Sequence, residues 1–356
     1  MIQKKFLGNI FIFHAFDVGD DINLERIKRQ QLLVAQSKAL TKHFRNYHIP
    51  LSVELPHKNP ASKSVNAKLH NFGVITLQYK IPFNATLEEL RSMINDIDQQ
   101  YNEQSTTDAS ALFNRIKSEI KQARFFHLRT SYVVIQVDQS PETWDVVKLK
   151  EEHGSTIASL LRFETETLSE YQKNEILASA FGYYRGDLII IDTQAAFMYD
   201  DEYEEILDFF EFANLQYLEL QYFDRVLDKQ LNLAYENEIK SPPLKAYLPF
   251  IGVMTSDPVG DLGKLQVDIS VITERIESSI KITGEAYYSE LYTLLSEKLD
   301  LQNWKDSIKH KLSIIHNISS VYQHKLEVIR EDILSVSIII LIFLELMMGF
   351  LNIIST

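Results

Sequence analysis

The run Ile333–Ile354, ILSVSIIILIFLELMMGFLNII, constrains this chain more than any other stretch. A single helix needs about 20 apolar residues to cross roughly 30 Å of hydrocarbon. At 1.5 Å per residue this run makes a helix of about 33 Å. Lipid offers no partner to an open backbone group, so an apolar segment of this kind satisfies itself only as a helix. Ser335 and Ser337 can return their hydroxyls to carbonyls of the preceding turn. One acid, Glu345, sits near the middle of the run and is costly there unless it meets protein or water. The sequence therefore predicts one C-terminal membrane-spanning helix over 333–354.

Lys325 and Arg330 precede the run and no basic residue follows it. Positive charge stays on the cytoplasmic side. The body is accordingly expected to be cytoplasmic, on a bacterial inner membrane or on the mitochondrial inner membrane in a eukaryote. MIQKKFLGNIFIFHAF at the start alternates like a strand and lacks a small-residue cleavage site, so it does not read as a secretory signal.

The apolar stripe does not begin at the membrane run. Leu301, Trp304, Ile308, Leu312, Ile315, Ile318, Tyr322, Leu326, Ile329, Ile333, Val336 and Ile340 are separated only by threes and fours. The mean spacing of about 3.55 lies between a coiled-coil seam and a free helix. One rod of about 50 residues is expected, folded against a helix over Leu265–Leu299 or paired with a second copy of the chain. Residues 265–332 thus form antiparallel or coiled-coil-like helices. Ser241-Pro242-Pro243, Pro249, Pro258, Gly260 and Gly263 mark 241–264 as a linker.

Upstream, Asn9–Phe16, Phe72–Ile81, ended by Pro82, and Phe125–Val137 read as strands. Helices are expected over 22–47, capped by Asp20 or Asp21, from Thr86 with Glu89 closing a capping box, and, after a polar break at 102–110, over 111–123. Residues 50–71, with three prolines, read as loop. The β-α-β-α-β order suggests a small α/β domain over 1–145. A second α/β-to-helical segment follows over 146–240, with irregular chain to 168, a helix capped by Ser169, a buried strand Leu188–Asp192, a strand-like piece Ala195–Tyr199 and a long helix from Asp201. The fold class is α/β (α+β), followed by long helices and the membrane segment.

Charge is uneven. Residues 1–150 hold 20 Lys and Arg against 15 Asp and Glu, +5; residues 151–356 hold 16 against 34, −18. An acidic second half argues against wrapping nucleic acid, whose phosphates require clustered cations. The absence of cysteine removes disulfides, thiolate metal sites and a cysteine nucleophile. Glu151-Glu152-His153-Gly154 lacks the helical spacing of a zinc motif. Gly182 and Gly186 run from helix to strand, the reverse of a phosphate loop. Asp224, Arg225 and Asp228 suit an exposed helix face. No reaction, cofactor or metal is expected from these residues.

The end of the chain resembles the "required for meiotic nuclear division" family, a domain of unknown function. Leu334, Ile338 to Ile340, Leu341, Ile342 and Glu345 match that family's closing Ile-rich motif, while Ser335 and Val336 stand where it has Glu and Trp. Glu290-Leu291-Tyr292, Leu299, Leu301 and Lys309–Leu312 sit where it has Tyr, Leu and Ile-bearing helices, and the region of Trp304 replaces its arginine. The resemblance implies a divergent member with an α/β and helical body on a C-terminal membrane helix, and no enzymatic activity. In eukaryotic members the place implied is the mitochondrial inner membrane.

Two functional classes remain from the sequence. One is a non-enzymatic membrane-anchored scaffold or assembly protein, a homo-oligomer through its C-terminal helices with unidentified protein partners, in which Glu345 bonds between neighbouring helices. The other is an oligomeric ion channel or transporter with rings of Glu345 in its pore.

Overall fold

In a computed structural model, the described residues are 5–36, 50–56, 59–125, 129–139, 146–184, 186–239, 267 and 286–354. The chain divides into two compact units, Met1–Tyr222 with Ile272–Trp304, and Phe223–Val271 with Lys305–Thr356.

The first unit is built on a nine-stranded sheet. Its strands are β1 (Phe6–Asp17), β3 (Ala35–Gln36), β4 (Leu51–Leu55), β5 (Ser64–His70), β6 (Val74–Ala85), β8 (Arg129–Val137), β9 (Ala180–Phe181), β10 (Leu188–Ile191) and β11 (Ala195–Tyr199). They lie in the order β3-β4-β5-β6-β1-β8-β11-β10-β9. Two short strands, β2 (Asp21–Ile22) and β7 (Ile120–Lys121), pair separately. All neighbours in the large sheet are antiparallel except β8 and β11. The sheet thus runs across the boundary expected near residue 145, because β8 pairs with β11.

Alternation along β1 assigns two faces. Ile10, Ile12 and Phe16 join Ile75, Leu77, Tyr79, Val133 and Ile135 in one core with α2 (Leu87–Ile116), α3 (Val146–Leu161) and α4 (Glu170–Leu177). On the other face Ala15 and Val74 pack with Phe212, Leu215 and Leu218 of α5 (Glu204–Ile239). Tyr132 stacks on Phe210 at 5.5 Å. A sheet buried on both faces shows continuous apolar runs instead of clean alternation, as in Leu188-Ile-Ile-Ile191.

Several local expectations are corrected. The helix expected over 22–47 is α1, only Leu24–Arg29, capped by Asn23 rather than Asp20 or Asp21. It stops where Gln31 adopts φ +51°, and residues 37–49 lie outside the described chain. The expected loop over 50–71 contains β4 and β5. Val65, Ala67 and Leu69 are fully buried there, a period of two that the surrounding prolines masked. Pro82 does not end β6; it stands opposite Asn9, beyond the start of β5 at Lys80, where its missing N–H leaves no ladder bond unmade.

The capping box at Thr86 is present, with Glu89 N–H donating to Thr86 Oγ1 at 3.1 Å and Thr86 N–H to Glu89 Oε2 at 2.8 Å. The helix it opens runs through the polar stretch read as a break. Tyr79 donates to Asp108 at 3.0 Å and Ser105 returns its hydroxyl to the Asn102 carbonyl, so inward polar groups are satisfied by tertiary or local bonds. Residues 146–161, read as irregular, form α3, in which His153 meets the Phe6 ring edge-on at 5.5 Å.

Further along, the described residues include α6 (Ala286–Lys298) and α7 (Leu301–Ile354). In the first unit Tyr288 of α6 stacks on Phe209 at 5.0 Å, and Tyr292 donates to Gln216. In the second unit Lys311 pairs with Asp224 at 2.7 Å and Asp228 at 2.6 Å, and Ser307 donates to Asp224 at 3.0 Å. Successive residues of α7 meet successive residues of α5, so these helices are parallel. The partner of the rod among the described residues is therefore α5. The linker at 241–264 and the expected helix start at 265 lie outside the described residues, apart from Val267.

Candidate functional site at the Asp17–Arg129 end of the sheet

β1 runs out at Asp17 where β8 begins, with Phe16 opposite Arg129. Polar groups at this end come from distant parts of the chain. Asp17 Oδ1 accepts the Gly19 N–H at 3.1 Å, and the Arg124 guanidinium reaches Asp17 at 3.4 Å and pairs with Asp20. The same guanidinium lies over the Tyr222 ring, 4.8 Å from its centre. Glu219, one turn earlier on α5, is buried. Burial pushes the Asp17 carboxyl up to about 6, although Arg124 pulls it back. Burial also holds Glu219 well above the usual carboxylate range, with the Asp17 charge adding to the effect.

A carboxyl with a raised native pKa binds its proton more tightly in the folded chain than in the unfolded one. Stability therefore falls as pH rises from about 4 to about 6 and stays lower above that window, by up to about 3 kcal/mol from this residue. Asp17→Asn keeps an oxygen for Gly19 and removes the titration. Urea unfolding across pH 4–7 should show the variant gaining on the wild type as pH rises. A difference that is flat with pH would mean that Asp17 does not titrate in this window.

Beside this cluster is a cavity of about 370 Å³, lined by Asp98, Arg129, Ser131, Thr193, Gln194 and Gln221 among others. Val133, Phe163 and Leu299 supply apolar wall. Arg129 Nη1 donates to the Asn102 carbonyl at 2.6 Å and to Thr106 Oγ1 at 2.7 Å. The Asn102 amide donates to Asp98 Oδ2 at 2.8 Å. One residue of α2 thus holds both the cation and the acid. Burial raises the Asp98 carboxyl, partly offset by Asn102 and Arg129.

His14 stands opposite Ser131 in the β1–β8 register. It is fully buried, and among the described residues neither ring nitrogen has a hydrogen-bond partner; the Ser131 hydroxyl also lacks one there. Burial, with the Arg129 charge in support, drives the His14 pKa down to about 3, so the imidazole is neutral. No motif pointed to His14. The available clue was a polar side chain in register with Ile10, Ile12 and Phe16.

The opposite face carries a closed polar network. Lys68 Nζ donates to Glu211 at 2.5 Å and to Asp208 at 3.0 Å, and Thr76 donates to Glu211 at 2.5 Å. Burial opposes the charge on Lys68, but Glu211 and Asp208 outweigh it and hold the ammonium above its usual range. Burial likewise opposes the Glu211 charge, and Lys68 and Thr76 outweigh it, so its carboxyl stays below the usual range. With its charges paired, the network reads as a clamp of α5 on the sheet.

Among the seam residues expected on α7, Leu301, Ile308 and Ile315 are buried, each seven residues from the next. Trp304 meets the Tyr217 ring edge-on at 6.1 Å, and Leu312 is half-buried. The side chains of Tyr322, Leu326 and Ile329 lie outside the described residues. Glu345 is exposed. Arg225 and Asp228 lie on an exposed helix face as expected, while Asp224 is half-buried; both aspartates pair with Lys311. The Gly182–Gly186 region is a turn as expected, held by the Asp187 carboxylate accepting the Tyr183 and Tyr184 N–H groups at 3.0 and 2.6 Å. Among the described residues no group of three His, Asp or Glu side chains is placed to hold a metal ion.

Residues 7–205, which carry the sheet and the β1–β8 end described above, match the family described as uncharacterized protein MJ0711, N-terminal domain. The chain belongs to this family. The uncharacterized protein MJ0711 of Methanocaldococcus jannaschii is 25% identical over 252 residues, covering 68% of this chain and 73% of that protein. No solved structure matches. The matched region ends before α6 and α7, and the match says nothing about the meiotic nuclear division family.

Proposed function

We propose that this member of the MJ0711 family is a non-enzymatic, membrane-anchored scaffold or assembly protein. Its cytoplasmic body carries the nine-stranded sheet, and the chain self-associates through the distal part of α7. The observation that carries this reading is one uninterrupted helix of 54 residues with two different surfaces. Its first turns bury Leu301, Ile308 and Ile315. Further on, the 19 residues Glu331–Gly349 have a mean hydropathy of 2.2 and none is buried. Leu334 to Met348 leave large side chains such as Ile339 and Leu346 about two-thirds exposed, at 65% and 69%. An apolar helix surface of this length is stable only against lipid or other protein. Glu345, exposed within it, is the group that a neighbouring copy would satisfy.

Sodium carbonate extraction of expressing membranes should leave the full chain in the pellet and release a chain ending at Arg330. Release of the full chain would exclude the anchor. Self-association is checked separately by comparing the detergent-solubilised mass of wild type and Glu345→Leu; a monomeric wild type would exclude the oligomer.

A further inference from the structure

The cavity at the sheet end holds two opposite charges that do not meet each other. Arg129 has no ion pair among the described residues, and neither has Asp98. Both are fixed from behind by Asn102, through its carbonyl and its side-chain amide. A half-buried guanidinium with no carboxylate at ion-pair distance among the described residues is unusual, because burying an unpaired charge is costly; Asp98 feels its charge only from further off. Asp98 is half-buried under the same condition.

The remaining lining completes a recognisable donor set. Ser131 lines the cavity with a buried hydroxyl that has no partner among the described residues, and Thr193, Gln194 and Gln221 add neutral hydrogen-bonding groups. Thr193 and Gln194 are exposed, which places the opening of the cavity on their side. Val133, Phe163 and Leu299 form an apolar wall. The volume, about 370 Å³, is at the small end of the roughly 300–1,000 Å³ found for ligand sites.

We propose that this cavity binds a small zwitterion of the α-amino-acid type. Arg129 pairs with the ligand carboxylate, Asp98 with its ammonium group, and the Val133–Phe163–Leu299 wall takes an apolar side chain. A ligand carrying only an anion would leave Asp98 as a repelling charge, and one carrying only a cation would leave Arg129 unpaired. This assignment is independent of the membrane anchor, since every lining residue belongs to the sheet-bearing unit.

The test is isothermal titration and thermal shift of the full chain in detergent with the twenty L-amino acids. Each apolar amino acid is compared with its N-acetyl and its carboxamide derivative, and with inorganic phosphate. The free amino acid should bind at least about tenfold more tightly than either derivative, since each removes one charge pair. In Asp98→Asn the N-acetyl form should approach the free amino acid in affinity, while the carboxamide stays weak. The comparison within the wild type needs no variant to fold. Failure of every amino acid to bind, equal binding of the N-acetyl derivatives, or tighter binding of phosphate would each overturn the proposal.

Discussion

Lys68→Met is expected to lower the stability of the folded chain by about 3–5 kcal/mol, the range for removing one partner of a buried ion pair. The substitution keeps the aliphatic length of the side chain and deletes the ammonium that holds Glu211 at 2.5 Å and Asp208 at 3.0 Å. Glu211 is then left fully enclosed with Thr76 as its remaining strong donor. Because its carboxyl is held below the ordinary range, the stability that it contributes is present above its unfolded pKa and lost as pH falls through the folded value. The double variant Lys68→Met, Glu211→Leu should recover much of the loss, since a packed apolar pair removes the unpaired charge. Urea unfolding at pH 7 of the wild type and these two variants measures both effects. A single variant within 1 kcal/mol of wild type would mean that the network contributes little net stability.

Gly73→Ala is the second large effect. Gly73 adopts φ +92° in the turn between β5 and β6, a region that L side chains rarely enter. A Cβ there would stand 1.8 Å from the Gly19 carbonyl oxygen. The Gly73 carbonyl accepts the Val18 N–H at 2.8 Å, so this turn lies against the segment that leads to Asp20 and Arg124. Strain and overpacking each cost about 1–3 kcal/mol, and the sum should be about 3–5 kcal/mol. The Asp17–Arg124 cluster should be disturbed with it. Thermal unfolding gives the loss, and the pH dependence of Asp17 should change in the same variant. An alanine variant with wild-type stability would show that the two turns can separate freely.

The elements that the sequence showed are those whose cause is local. The capping box at Thr86 needs only residues three apart, and it is present. The buried run Leu188–Ile191 and the strand Ala195–Tyr199 were visible from their apolar continuity. The threes and fours along α7 marked a continuous helix, and the heptad positions Leu301, Ile308 and Ile315 are buried. Elements stabilised by distant partners were missed. The polar stretch within α2 looked like a break because Tyr79, which satisfies Asp108, lies 29 residues away. Strand β5 looked like loop because the partners of Lys68 are 140 and 143 residues further along.

The candidate site was less legible still. His14 and Ser131 are 117 positions apart and meet only because β1 and β8 pair in one register. Neither residue carries a motif, and unsatisfied burial is a property of packing that no spacing reports. Asp98 and Arg129 become one site through Asn102, which touches each with a different atom.

By itself the sequence determined the α/β class, the long C-terminal helix and its apolar end. These follow from periodicity and length, which act over a few residues. Tertiary structure alone decided that one sheet spans both expected segments, that α7 lies parallel to α5, and that an acid and a base face a common cavity. Those outcomes depend on strand register and on charges brought together from distant parts of the chain, where the free energy of burial selects the partners.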